Sequence, residues 1–329
     1  MLRYDVESLT LDTLQMVKPI ITIYEYKPYH YIRGTKNDQL NNFVMGELKA
    51  QLQLPQDNYV YLVKDGAEAV GLATLRMLPW DKQIFAKEMA AIDYLMAIGN
   101  YEERVSILDG LLSKLITRCK DLKIEHLSCR VDTADLVCIH ALEGAGFKLM
   151  DIIVTYCFDF AKSSLKELEY PFRIRSQEEE DIEPTVALSK LSFQNYIDRF
   201  HSDPTLDDQS CDQLYAEWAR NSCVGLVADQ VFVAEDNGKI VGFSTCKFHK
   251  EVNRFVDHKI GEIVLVCVSP KARGSGVYTS FIHHGLRWFR EKVDFVQVVT
   301  QINNTFVQRA WSNLGFRLIG SRSTFHKWL

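Results

Sequence analysis

The chain has 329 residues, 47% hydrophobic and 25% charged, with 17 glycines and 8 prolines. At roughly 150 residues per domain this suggests two domains with cores of their own, and it excludes disorder, collagen-like repeats and a loop-rich all-β architecture. A net charge of −5 gives no electrostatic footprint for nucleic acid.

No apolar run approaches the ~18 residues of a membrane span. No apolar stretch follows Met1-Leu2-Arg3-Tyr4-Asp5 either, so a cytoplasmic chain without a secretory leader is expected. Residues 20–32 are rich in tyrosine (Tyr24, Tyr26, Tyr29, Tyr31) and are expected as a half-buried strand, with a lid over a substrate as the alternative. Residues 65–72 read as a polar turn and a strand. Strands at 88–95 and 124–131 flank a helix at 104–119. A helical stretch then closes on Gly146-Phe147.

The polar stretch 161–171, ending in Pro171, marks a boundary. Beyond it come a short strand at 172–175 and a helix through 182–191 with acid at its start. An amphipathic helix holds Leu214 and Trp218 at i,i+4 spacing. A hairpin at 230–243 turns on Asp236-Asn237-Gly238. The longest apolar strand is 261–268, and a helix at 277–289 places Val277, Phe281, Ile282, Leu286 and Phe289 on one face. A strand at 295–300, a helix at 305–314 and strand-like residues 316–328 complete the chain.

Two landmarks recur. The turn and strand containing Gly71 return with Gly242, and the Gly146-Phe147 helix ending returns as Gly315-Phe316, each about 170 residues further on. One α/β unit used twice accounts for both. Eight cysteines without a C-x-x-C pair read as buried free thiols. Nine histidines form no ligand-spaced cluster, so no metal site is expected, and His283-His284 reads as a surface pair.

The chemistry concentrates after the apolar strand, in Ser269-Pro270-Lys271-Ala272-Arg273-Gly274-Ser275-Gly276-Val277-Tyr278. Two glycines between a strand end and a helix start can turn consecutive N–H groups outward as an anion nest, and the helix dipole adds to it. Alone, the pair fits a plain strand-to-helix turn equally well. It is neither a P-loop nor a dinucleotide fingerprint, because no Gly-Lys-[Ser/Thr] follows and Thr279 stands where a third glycine would.

With its context, this stretch resembles the GNAT superfamily of acetyl-CoA-dependent N-acetyltransferases. Arg273-Gly274-Ser275-Gly276-Val277 fits [Gln/Arg]-x-x-Gly-x-[Gly/Ala] at five positions, and Tyr278 departs where a small residue is usual. Asn304, Trp311 and Gly315-Phe316 resemble the closing motif, and Ile174-Arg175 with Asp181-Ile182 the opening one. Within the superfamily the dTDP-fucosamine acetyltransferase group is similar at Thr300 to Thr305, at Arg199-Phe200 with Asp203, at Leu214 to Trp218, and at Leu78-Pro79-Trp80-Asp81.

The resemblance implies an α/β (α+β) fold of two tandem GNAT units, each a mixed, mainly antiparallel sheet flanked by helices. Residues 1–165 would form a degenerate first domain lacking the Arg-x-x-Gly-x-Gly loop, and residues 172–329 the acetyltransferase domain. It implies acetyl-CoA as acyl donor, bound by a bulged strand at Val266, Cys267 and Val268, by Arg273, Gly274, Ser275, Gly276, Val277, Tyr278 and Thr279, and by Asn304. Bulge N–H groups from Leu265 to Val268 would hold the thioester carbonyl. Asn304 could serve as a helix N-cap as well.

Glu262 is the implied general base, against a reading as a solvated strand-end carboxylate. Arg199, Asp203, Tyr215 and Trp218 are candidates to line the acceptor pocket, with core packing an equal account of Trp218. The acceptor would be a small-molecule primary amine, on a nucleotide-linked amino sugar by the resemblance. Other small amines or conjugates remain open, as does a homodimer. Trp311 stands where the superfamily commonly has a tyrosine acid. Tyr278, a water, slow turnover, or a regulatory protein that binds acyl-CoA without transferring it are the alternatives this leaves.

Overall fold

The structure, a computed structural model, describes residues 4–329. The chain divides into two compact units, one running to Ile152 and including Ser321–Leu329, the other Ile153–Gly320. The polar stretch 161–171 therefore lies inside the second unit.

The first unit contains β1 (Asp5–Ser8), α1 (Lys18–Ile23), α2 (Asn37–Leu52), β2 (Asn58–Asp65), β3 (Glu68–Met77), α3 (Pro79–Phe85), β4 (Met89–Ile92), β5 (Leu95–Ala97), α4 (Tyr101–Asp121), β6 (His126–Asp132) and α5 (Leu136–Gly144). β7 (Lys148–Asp159) leads into the second unit. There follow β8 (Arg173–Ser176), α6 (Ile182–Ser192), α7 (Asp208–Cys223), β9 (Gln230–Asp236), β10 (Lys239–Phe248), β11 (Ile260–Val268), α8 (Val277–Phe289), β12 (Phe295–Gln301) and α9 (Thr305–Asn313), and β13 (Arg317–Trp328) ends the chain.

In the first unit β1, β2, β3, β4, β6 and the end of β13 lie in that order, with β5 also on β3. In the second the order is β7, β12, β11, β10, β9, β8. Within each of these two sheets one neighbouring pair runs parallel, β4 with β6 and β11 with β12. The final strand closes the first sheet, Arg322 to Trp328 pairing antiparallel with Asp132 to His126. The sheets are thus mixed and mainly antiparallel, as expected.

The repeated landmarks have a physical reason. Gly71 of β3 is where α4 crosses, and a Cβ there would overlap Ile107; Gly242 of β10 is where α8 crosses, and a Cβ there would strike Phe281 and the Cys267 carbonyl. The Gly-Phe pairs are matching helix stops. Gly146 (φ 78°) and Gly315 (φ 97°) take the left-handed turn that favours glycine. The next N–H reaches back to Leu142 O at 2.9 Å and to Trp311 O at 3.0 Å, and Phe147 and Phe316 are buried beneath. Gly242→Val should overpack the α8 contact and cost about 1–3 kcal/mol, read as a lower urea midpoint at unchanged slope.

Two expectations need correction. Residues 20–32 are not a strand: α1 covers Lys18–Ile23 with a proline in its first turn, and the chain then runs through turns. The buried Lys27 ammonium donates to the carbonyls of Ile21, at 2.7 Å, and Tyr24, satisfying a helix end that β pairing would otherwise have claimed. His283 is not on the surface. It is 1% exposed, its Nδ1 lies 2.8 Å from the Tyr170 hydroxyl and its Nε2 2.6 Å from Lys166 O. That contact fastens the 161–171 stretch to α8. Of the eight cysteines, seven are buried and Cys223 is half-buried, all as free thiols.

Candidate active site

The second sheet is split. β11 pairs with β12 only from Ile260 opposite Phe295 to Glu262 opposite Gln297, whereas β12 keeps its pairing with β7 to Gln301. Beyond Glu262 one edge of β11 is bare. On its other edge, Ser244 of β10 pairs with Val266 but Cys246 pairs with Ile263, so β11 carries the extra residue of a bulge. The bulge inverts the pleat. Ile263 packs on Gly285 of α8, while the Cys267 thiol lies 3.8 Å from Leu188 O in α6.

Backbone donors follow from this path. Ser269 N–H bonds Val241 O of β10 at 2.8 Å. By the alternation of an extended strand the Cys267 N–H also points toward β10, and those of Val266 and Val268 face the bare edge. The expected donor at Leu265 is already engaged, its N–H bonding Thr245 Oγ1 at 3.0 Å.

β11 ends on a single 3₁₀ turn, Pro270–Ala272, and the glycine loop follows. Gly274 (φ 81°) and Gly276 (φ 90°) both take backbone turns closed to other residues at low cost. Arg273, Gly274, Ser275 and Gly276 are exposed, and a Cβ on Gly274 would meet nothing within 4 Å. Gly276 caps α8, whose first N–H groups, those of Val277, Tyr278 and Thr279 among them, have no intrahelical acceptor. Ser275 Oγ closes the loop on Ala272 O at 2.6 Å, and Arg273 reaches Ser192 O at 3.1 Å. The arrangement is a donor-lined cradle for an anion at the mouth of a split sheet.

Glu262 stands at the root of the split with its side chain 13% exposed, 3.0 Å from His249 Nε2 and 3.5 Å from Lys247 Nζ. Burial alone would raise its carboxyl, but the His249 contact and the Lys247 ammonium hold it down at about 2. It is therefore an ionised group tied to two cationic or protonatable partners.

Across the split, Asn304 sits at the start of α9 but forms no side-chain cap. Its amide instead donates to Thr300 Oγ1 at 3.0 Å and to the Tyr196 hydroxyl at 3.3 Å. Tyr278 meets the same group. Burial pushes its hydroxyl far above the ordinary phenol range and the nearby Tyr196 adds to this, while the Trp311 indole N–H beside it acts the other way. Trp311 is 3% exposed and packs on Tyr156 at 5.5 Å between ring centroids. The Trp311 indole on α9 and the Tyr278 side chain on α8 are thus neighbours.

The loop from α6 to α7 carries the residues expected on the acceptor side. Tyr215 donates to Asp198 Oδ2 at 2.5 Å and stacks on Phe193 at 4.3 Å. His201 lies between Asp198 at 3.1 Å and Asp212 at 3.2 Å. Burial would raise the Asp198 carboxyl, but His201 and Tyr215 bring it below the usual carboxylate range. Asp203 is buried and accepts the Thr205 N–H at 3.0 Å, which shapes the loop turn. The half-buried Arg199 lies over the Phe200 ring at 4.2 Å, and Trp218 is half-buried beside Tyr215. Sequence reasoning missed Tyr196, Asp198, His201, Thr245 and His249. An Asp-x-x-His signal at 198–201 was there to be seen, but its partners Asp212 and Tyr215 lie on another helix.

The corresponding helix start in the first unit is closed. Asn100 Oδ1 accepts the Glu103 N–H at 3.0 Å and Glu103 answers to the Asn100 N–H at 2.9 Å. Glu102 adds a second carboxylate to the first turn of α4. A capping box with two acids takes up the donors that a phosphate would need and repels its charge.

Residues 193–316 match the acetyltransferase (GNAT) family. The match lies within the second unit and takes in the glycine loop and Asn304. Over 99% of its length the chain is similar in fold to a GCN5-related N-acetyltransferase from Sphaerobacter thermophilus, at 14% identity and TM-score 0.64 over 96% of that chain. It is similarly close to a tandem GNAT protein from the clavulanic acid biosynthesis pathway, at 12% identity and TM-score 0.60 over 98% of that chain. The architecture is a tandem GNAT fold. Among curated proteins, a mycothiol acetyltransferase of Amycolatopsis mediterranei is 30% identical over 91 residues, which is 27% of this chain and 30% of that protein. Another from Thermobispora bispora is 35% identical over 86 residues, 26% of this chain and 29% of that protein. The chain thus covers under a third of the length of these relatives. No described helix is long and apolar enough to cross a membrane.

Proposed function

We propose that the GNAT unit transfers the acetyl group of acetyl-CoA to a primary amine. One observation carries this reading: the bare edge of β11, with the Val266 and Val268 N–H groups turned to it, leads directly into the glycine loop at the start of α8. A pantetheine arm can extend along that edge while the diphosphate rests on the N–H groups of Gly274 to Thr279, with Arg273 and Asn304 at either side.

The amine nitrogen attacks the thioester carbonyl carbon and the carbon–sulfur bond breaks. The developing oxyanion is held by the bulge donors, which can contribute a few kcal/mol. The amine proton leaves through water to the Glu262–His249 pair, since a carboxylate held near 2 is a weak base alone. The thiolate accepts a hydrogen bond from the Tyr278 hydroxyl and takes its proton from solvent.

The resemblance to dTDP-fucosamine acetyltransferases supports a nucleotide-linked amino sugar as acceptor, with Arg199 and Trp218 toward it and Asp203 and Tyr215 holding the loop. The mycothiol acetyltransferase relatives favour a second reading, a small conjugate bearing an amine. Release of free CoA over a panel of dTDP-amino sugars and small amine conjugates separates the two. Saturable release with a dTDP-amino sugar supports the first. Acetyl-CoA binding without release by any amine would refute transfer and leave a binding protein.

Tyr278→Phe removes a donor to a developing charge, so kcat should fall about ten- to a hundredfold with KM for acetyl-CoA little changed. Trp311→Tyr should give no gain, because the hydroxyl is already supplied from α8; a faster enzyme would show that Tyr278 does not do this work.

A further inference from the structure

The first unit keeps a split of its own. β4 pairs with β6 from Met89 opposite His126 to Ile92 opposite Cys129 and no further. After Asp93 and Tyr94 the chain enters β5, which pairs with β3. The gap this leaves is a pocket of about 80 Å³, lined by Tyr94, Leu95 and Met96 on one side and by Cys129 to Asp132 and Arg322 on the other, with residues 24–31 over it. It is not a diphosphate site, because the start of α4 is closed by Asn100 and Glu103.

The charges in this pocket leave one group unanswered. Lys27 is spent on the α1 carbonyls. Asp93 is held by Arg76 at 2.7 and 2.9 Å and by Gln51 at 3.1 Å. Asp132 accepts the Ala134 N–H at 2.8 Å and faces His30 at 3.6 Å. Arg130 donates to Thr324 Oγ1 at 2.9 Å. Arg322 is the cross-strand neighbour of Asp132, yet its Nε is shut off from solvent without an acceptor among the described residues. A buried N–H donor without an acceptor is costly, and the planar fork of the half-buried Arg322 fits a carboxylate in two-point fashion. Leu95 and Met96 add buried apolar side chains to the opposite side. A volume of about 80 Å³ is several times what a single water needs.

We propose that the first unit binds a short monocarboxylate, its carboxylate on the Arg322 guanidinium and its carbon chain against Leu95 and Met96. This stands whether or not the second unit transfers acetyl groups. The test is a titration of the full chain, labelled at the methionine methyls, with acetate, propionate and butyrate, the Met96 signal being assigned through Met96→Leu.

A saturable shift of Met96 is expected, strongest with propionate or butyrate, and Arg322→Gln should weaken it about tenfold or more. Arg322→Lys keeps the charge and loses the fork; if Arg322→Gln does not fold, weakened binding in Arg322→Lys supports the proposal in its place. No Met96 shift with any acid, or full affinity in a folded Arg322→Gln, would overturn the proposal. So would displacement of butyrate from Met96 by acetyl-CoA, which would make the pocket a second acyl-CoA site. An acetyl-CoA titration of the same sample reports separately on the second unit.

Discussion

Gly276→Val is expected to weaken acetyl-CoA binding by at least about a hundredfold, which corresponds to about 2.7 kcal/mol. Gly276 holds φ at 90° as the residue that opens α8. A β-branched residue there costs on the order of 1–3 kcal/mol in backbone strain, and relief of that strain swings the N–H groups of Gly276 to Tyr278 away from a common centre. The loop is exposed, so the urea midpoint should move far less than affinity does. Calorimetric titration of wild type and variant measures the effect. Retained affinity in the folded variant would mean that the diphosphate is held elsewhere.

Glu262→Gln is expected to lower kcat by about 10²–10⁴-fold with acetyl-CoA affinity preserved. The amide removes the carboxylate that faces His249, and it leaves Lys247 beside a neutral group. A pH series adds a signed test. The folded-state value of Glu262 is depressed, to about 2 from an ordinary 4.5. Its contribution to stability is therefore complete above the unfolded value and lost as pH falls from there toward 2. The wild-type margin over Glu262→Gln should be constant near neutrality and close on acidification. Near-normal turnover in the variant would remove Glu262 from the chemistry.

Much of the second unit was legible because its signals are local. Asn237-Gly238 takes up the two positive φ values of its hairpin turn, 48° and 74°, as the dipeptide predicts. The apolar face Val277, Phe281, Ile282, Leu286, Phe289 is buried as spaced. Gly315-Phe316 is a helix stop with its donor bonds in place. The glycine loop was readable for the same reason, since its geometry depends on residues that follow one another.

What escaped depends on distant partners. Residues 20–32 lack a strong period, and α1 is secured by Lys27 reaching back over its end, a tertiary contact with no sequence spacing of its own. His283 is amphipathic on paper and buried in fact, because Tyr170 and Lys166 from the polar stretch satisfy both ring nitrogens. Tyr215 suggested an acceptor wall, whereas its hydroxyl is bonded to Asp198, seventeen residues earlier in the chain. Trp311 announced a departure from the superfamily's tyrosine, with Tyr278 one of the alternatives it left, and the structure sets the two side by side. The asymmetry of the two units was likewise read from missing glycines, and at the helix start of α4 the structure shows the Asn100–Glu103 capping box.

The account turns on a second unit with an open cradle and a first unit whose helix start is closed. Calorimetric titration of the full chain with acetyl-CoA tests this most directly. The expected result is one saturable site per chain, abolished by Gly276→Val. No acetyl-CoA binding, or binding that survives Gly276→Val unchanged, would contradict it.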